Sequence, residues 1–163
     1  MAMAWGQGEL FAQASEKEIQ RTKFLLSKYV YMKSLMSDFE NFERDLKQVA
    51  IDGEAARRID HEDLHADKTA NAAILIEKRR WVYQQYNFYT RQLYRAWALI
   101  HDTEAREAIE YRYIKGHSFK ETILFFRYGI SESAVRRKIV EGIKTIANTL
   151  NLIGFFEQAY EDF

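Results

Sequence analysis

Cysteine and proline are both missing from this chain of 163 residues, and glycine occurs only seven times. Without cysteine there is no disulfide framework and no thiolate metal centre, and a reducing compartment is the natural setting. Without proline, and with so little glycine, sandwiches, barrels and turn-rich α/β folds are disfavoured, because they need breakers between many short strands. Net charge is also absent: 24 basic side chains balance 24 acidic ones. The total therefore gives no argument for a nucleic-acid partner. No stretch reaches the roughly 18 consecutive apolar residues of a membrane helix, so no membrane association is expected. Met1 to Leu10 lack the basic-then-apolar order of a secretion signal. What is present is 47% hydrophobic and 15% aromatic, enough to build a core and too much for a disordered chain. These features predict an all-α protein of one domain, or of two small ones sharing a core.

The order of residues predicts two long helices followed by shorter ones. Ser15-Glu16-Lys17-Glu18 reads as a capping box. From it an apolar pattern runs unbroken to Gly53. Leu25, Met32, Phe39 and Leu46 form one heptad row, and Leu35, Phe42 and Val49 form its companion, interrupted at Lys28. Residues 52–67 are acidic and poor in large apolar groups, which predicts a linker. A second long helix is expected from Lys68 to Ile100. It carries the row Ile74, Trp81, Phe88 and the adjacent row Leu75, Val82, Tyr89, Ala96. Two long helices joined by a polar link most simply form a long antiparallel hairpin. The expected organisation is a tail (1–14), a hairpin for assembly or partner contact (15–100), a compact helical domain (101–151) and an aromatic, acidic tail (152–163). That last segment either docks on the body or mediates assembly.

The neutral total hides blocks of charge. Residues 68–100 and 112–144 each carry a net +5, while 1–67 carry −4 and 145–163 carry −3. The second basic block holds the most informative pattern. Asp102 or Thr103 caps a helix to Lys115, and Gly116 follows where a C′ glycine belongs. Ser118-Phe119-Lys120-Glu121 is another capping box and opens a helix to about Arg127. Tyr128-Gly129-Ile130 is a turn, in which glycine permits a sharp reversal and Ile130 plugs between helices. Ser131 caps a helix to about Asn151, with the apolar stripe Val135, Ile139, Ile143, Ile146, Leu150. Helix, glycine turn and capped basic helix make a helix-turn-helix. If the stripe is buried, then Ser133, Arg136, Arg137, Val140 and Lys144 point outward. Arg136, Arg137 and Lys138 fall in the part of such a helix that enters a major groove. There arginine pairs bidentately with guanine or holds phosphate.

These residues also carry a resemblance. The segment from Ala108 to Leu150, with Ile109-Glu110, Arg112-Tyr113-Ile114, Gly116, the Gly129-Ile130-Ser131-Glu132-Ser133 turn and the trailing Ile143, Ile146, Ala147 and Leu150, resembles region four of bacterial sigma factors. More specifically it looks like the C-terminal part of ArpU-type phage transcriptional regulators. In one respect it departs from them: Ser118 and Gly129 are further apart than in the usual pattern, implying a longer first helix or a looser turn. The resemblance implies a sigma-region-four-like helix-turn-helix domain and control of late phage or prophage genes in the cytoplasm of a bacterial host. Implied partners are double-stranded DNA and RNA polymerase. The candidate DNA-binding residues are Lys120, Arg127, Ser131, Glu132, Ser133, Arg136, Arg137, Lys138 and Lys144. Homo-oligomerisation through the long helices is expected, because a single helix-turn-helix buries little surface on DNA. Two rival functions remain. One is a phage small terminase subunit that recognises packaging DNA. The other is a helical interaction protein or inhibitor that binds no DNA.

Other signals point elsewhere and carry less. His61-Glu62-Asp63-Leu64-His65 matches H-E-x-x-H, but it lies in the expected linker, and Lys68 and Asn71 stand where the extended form needs Gly and His. A chance match is the better reading, and no metal or cofactor is expected. The interleaved Arg79, Arg80, Trp81, Tyr83, Phe88, Arg91, Tyr94 and Arg95 suggest stacking on single-stranded nucleic acid. Their heptad spacing favours buried aromatics instead, with the arginines paired to acids of the first long helix. There is no Gly-rich phosphate loop, no G-x-S-x-G elbow and no paired catalytic carboxylates, so no enzyme is expected.

Overall fold

The computed structural model describes residues 10–43, 63–127 and 129–158. Every regular element among them is helical. Seven α-helices are distinguished here: α1 (Glu16–Ser27), α2 (29–43), α3 (Asp63–Ala98), α4 (Thr103–Ile109), α5 (Phe119–Phe125), α6 (Glu132–Leu152) and α7 (Phe155–Gln158). A π-helical turn, Glu110–Ile114, continues α4. The chain divides into two compact units, one formed by Met1–Val30 with Tyr89–Phe163 and the other by Tyr31–Phe88.

The capping signals form as the sequence reads. Ser15 Oγ accepts from the Glu18 N–H at 3.2 Å, and Glu18 Oε1 accepts in return from the Ser15 N–H. Asp102, Ser118 and Ser131 each accept from a backbone N–H three residues on, at 3.1–3.2 Å. Each cap satisfies a donor that the first helical turn leaves open. The first long helix does not run unbroken, however. Ser27 Oγ donates to the Phe24 carbonyl, and the Lys28 N–H is shared between the Phe24 and Leu25 carbonyls. Such side-chain competition for helix carbonyls bends or ends a helix, so α1 stops at Ser27. Leu25 and Met32 of the expected heptad row thus sit on different helices, although both are buried. Leu46, Val49 and Gly53 lie outside the described residues, as does the linker except for its last residues. From Asp63 those residues are already helical, so α3 starts five residues earlier than the acidic composition suggested.

In the first unit the core is organised around α6. Val135, Ile139, Ile143, Ile146 and Leu150 are all buried, with Ala147 between them. They face α1, where Leu25 and Leu26 are buried, and α4, where Ala105, Ala108 and Ile109 are buried; Leu93 and Ala96 of α3 are buried in the same unit. Among the described residues, threonines are buried here too, and their hydroxyls have partners. Thr22 and Thr122 donate to the carbonyls of Glu18 and Ser118 at 2.9 and 2.8 Å. Phe155 docks edge-on against Tyr89, with ring centroids 5.8 Å apart. The start of the aromatic tail is therefore part of the body, while residues 159–163 lie outside the description.

In the second unit Glu43 pairs with Arg80 at 3.3 Å and Glu40 accepts from the Tyr83 hydroxyl at 2.6 Å. Sequence order rises on one segment as it falls on the other, so α2 and the facing part of α3 run in opposite directions. Arg80 thus finds an acid as expected, whereas Arg79 lies over the Phe39 ring at 5.2 Å. The expected heptad burial is only partly realised. Trp81 is 62% and Ile74 59% exposed, and Leu75 and Phe42 are also exposed. The reason is geometric. Among the described residues one facing helix, α2, covers one stripe, and the face of α3 bearing Ile76, Arg79 and Tyr83 takes it.

Gly116 takes the left-handed conformation its C′ position predicts, whereas Gly129 in the expected turn does not. Gly129 does not adopt a left-handed conformation, and a Cβ there would meet only the Phe126 carbonyl at 3.8 Å. Gly116 has φ +77°, and a Cβ would stand 2.8 Å from Val30 Cγ2. Gly129→Ala is accordingly expected to leave stability unchanged or raised by about 0.5 kcal/mol. Gly116→Ala is expected to cost about 1–3 kcal/mol. Urea midpoints measure both, and equal effects would contradict this assignment of the left-handed conformation.

Candidate nucleic-acid interface

The face of α6 opposite its buried stripe is exposed along its first three turns. Ser133, Arg136, Arg137, Val140 and Lys144 all stand outward, as the periodicity demands once Val135, Ile139 and Ile143 are sealed. Arg137 and Lys144 have no hydrogen-bond or ionic partner among the described residues. Arg136 is shared: its guanidinium pairs with Glu132 at 3.0 Å, one turn earlier, and lies over the Phe119 ring at 4.7 Å. Both contacts are solvent-facing, so together they orient the side chain without hiding it. Ser131 is the N-cap, with its hydroxyl 3.3 Å from that of Ser133. Lys120 is exposed on the first turn of α5, and Arg127 is exposed in the turn that follows.

Lys138 departs from the expected outward triplet. Successive helix residues differ by about 100° around the axis, so three in a row cannot share one direction. Lys138 turns toward α4, where its ammonium bonds the Asp102 carboxylate and stands 4.0 Å from Glu141. It therefore ties the start of α4 to α6. The hydrogen bond from Lys138, followed by that from the Ala105 N–H, holds the Asp102 carboxyl below its ordinary range. The same bond raises Lys138 above the usual lysine range. On α5, Glu121 is likewise lowered, first by its 2.8 Å contact with His117 Nδ1 and then by Ser118.

A pH dependence follows from these shifts. A lowered carboxyl stabilises the fold above its unfolded range and loses that contribution as pH falls through the folded value. A raised lysine contributes below its unfolded range and loses that contribution as pH rises through the folded value. Stability is thus expected to decline in acid below the ordinary carboxyl value of 3.8 and in alkali above the ordinary lysine value of 10.5. Asp102→Asn keeps a capping acceptor but removes the charge, so it should flatten the alkaline limb. Urea midpoints for both proteins across pH test this, and parallel alkaline limbs would rule the pair out as the cause.

Between the Ser118 and Ser131 caps the chain forms a short helix followed by a longer turn. α5 is only seven residues long, and the chain needs Phe126 to Ile130 to reach the Ser131 cap. The Gly129 and Ile130 N–H groups both donate to the Phe126 carbonyl, at 2.9 and 3.1 Å. Ile130 is half-buried rather than a sealed plug. Before α5, the π-helical turn places Tyr113 in the core and Arg112 toward the surface.

That placement creates a feature the sequence did not reveal. A groove of about 420 Å³ runs beside α6, with Lys23 of α1, Arg112 and Arg136 on its walls and Phe119, Val140 and Ile143 among its apolar lining. No carboxylate of the described residues lines it, although Arg136 on its wall pairs with Glu132. Arg112 lies within the basic block of 112–144, so charge counting marked its region. Lys23 gives no such signal, because nothing local connects it to α6. A second hollow of about 300 Å³ in the other unit is lined by Glu40, Glu43, Arg79 and Arg80, whose charges balance one another. Of the H-E-x-x-H match, His61 and Glu62 lie outside the described residues and His65 falls within α3. No cluster able to hold a metal ion occurs among the described residues. No described helix is long and apolar enough to cross a membrane. Comparison with protein-family models, with curated proteins and with solved structures finds no match to this chain.

Proposed function

We propose that this protein is a sequence-specific DNA-binding regulator of transcription, acting on late phage or prophage genes in the bacterial cytoplasm. In this reading α4, α5 and α6 form a sigma-region-four-like helix-turn-helix domain, and α6 enters the major groove. The long helices form the hairpin that supplies self-association or a contact with RNA polymerase. The observation that carries the reading is the two-sidedness of α6. Its buried stripe fixes the helix, while Ser133, Arg136 and Arg137 stand outward from its N-terminal half and Lys144 just beyond it. That is the arrangement by which a helix presents bidentate arginines to guanine and phosphate. Binding of fluorescent duplex fragments from phage and host genomes, at roughly 50 mM salt, tests it. Selective retention of a subset is expected, and failure to bind any duplex would end the proposal.

A helical interaction protein that binds no DNA is the second reading. Exposed Phe42, Ile74, Leu75 and Trp81 in the second unit favour it. The same duplex assay separates the two.

A further inference from the structure

We propose that the groove beside α6 seats a phosphodiester of the nucleic-acid backbone, with Lys23 and Arg112 as its phosphate contacts. The proposal rests on the DNA-binding reading and extends it to α1, a helix outside the helix-turn-helix. Three cations from three separate segments converge on one groove that no carboxylate of the described residues lines, and of the three Arg136 has an acidic partner, Glu132 at 3.0 Å. Lys23 and Arg112 have no acid paired with them among the described residues, so an anion seated between them would offset their mutual repulsion. Arg112 is already held in place. Its Nη1 donates to the His117 carbonyl at 2.8 Å, and its guanidinium lies over the Tyr113 ring at 5.1 Å. Arg136 is similarly set by Phe119. Guanidinium groups fixed in advance lose little freedom when they bind.

The groove's chemistry selects among anions. Phe119 and Val140 offer apolar surface beside the cations, which suits the sugar carbons that separate phosphates along a strand. Arg137, Lys144 and Lys120 extend positive charge onto the exposed surface of α5 and α6, which suits a polyanion better than a single acidic peptide. A strand seated here runs beside the same helix whose outward arginines face the bases.

Lys23 is exposed, so its replacement tests the contact without disturbing the core. We measure duplex affinity against salt for the wild type, Lys23→Gln, Lys23→Arg and Arg112→Gln, with thermal melts confirming the fold. Lys23→Gln should lower the slope of log affinity against log salt by about 0.9, equivalent to a roughly eightfold loss at 0.1 M salt. Lys23→Arg should restore both. Arg112→Gln should act in the same direction, and amide shifts around residues 23, 112 and 136 should follow titration with pyrophosphate. If the wild type binds duplex and Lys23→Gln leaves the slope unchanged, the phosphate seat is refuted while DNA binding stands. If no duplex binds, both fall. If a Glu-rich peptide binds the groove and duplex does not, the occupant is a protein and the proposal is overturned.

Discussion

Replacing Arg136 and Arg137 together by alanine is expected to weaken duplex binding by about 2–4 kcal/mol, on the order of a hundredfold. The salt dependence should flatten by about two phosphate equivalents if both contact the backbone. If one reads a base, a single equivalent should be lost together with discrimination at one position of the site. The effect on folding should be much smaller. Both side chains are exposed, and among the described residues the ion pair removed is the one between Glu132 and Arg136. A solvent-facing pair at that spacing contributes about 0.3–0.5 kcal/mol. Loss of binding and loss of stability are therefore separable, and a thermal melt beside the binding isotherm distinguishes them. Glu132→Ala makes an informative companion, because it releases Arg136 and removes a negative charge from the helix start. It should strengthen non-specific binding while Arg136→Ala weakens it. An unchanged isotherm for the double variant would remove α6 from the interface.

Gly142→Val should be the most destabilising single change at the centre of the first unit. A Cβ at Gly142 would lie 2.4 Å from Ile109 Cγ1, 2.9 Å from its Cδ1 and 3.5 Å from the Ala105 carbonyl oxygen. Ile109 and Ala105 are wholly buried and have no open space to move into. Two effects oppose each other in Gly142→Ala. Helix propensity favours alanine by about 1 kcal/mol, whereas overpacking costs about 1–3 kcal/mol. Because the nearest clash involves a branch carbon beside the main chain of α4 rather than a flexible tip, the second effect should win. Gly142→Ala should lose about 1 kcal/mol and Gly142→Val about 3 kcal/mol or more, read from urea unfolding. Ile109→Ala alone should cost about 2–5 kcal/mol. Combined with Gly142→Ala it should cost less than the sum, because the cavity of one receives the Cβ of the other. Strict additivity, or a Gly142→Ala protein more stable than wild type, would show that α4 and α6 are not in contact at this point.

The sequence was most legible where a local rule suffices. Caps at Ser15, Asp102, Ser118 and Ser131 are short-range hydrogen bonds between a side chain and an N–H three residues away, so their positions follow from the order of residues. The stripe of α6 was equally readable. Legibility failed where two neighbours compete. Lys28 sits where serine back-bonding ends a helix that heptad spacing alone carries onward. Trp81 and Ile74 keep their heptad spacing, yet the face they form has no covering helix among the described residues. A glycine in a turn does not by itself require a positive φ: Gly129 lacks one, while Gly116, read as a C′ glycine, holds it beside Val30.

By itself the sequence determined that the protein is helical, where most of its helices begin, and which side of α6 is apolar. Each of these follows from repeats and hydrogen bonds within a few residues. Only the tertiary structure decided that Lys138 is drawn to Asp102, that Gly142 packs against Ile109 of α4, and that Lys23 and Arg112 share a groove with Arg136. Periodicity fixes the direction in which a side chain leaves its helix axis, but not what it meets. That depends on how helices distant in sequence pack, an arrangement set by the shapes of all the buried side chains together.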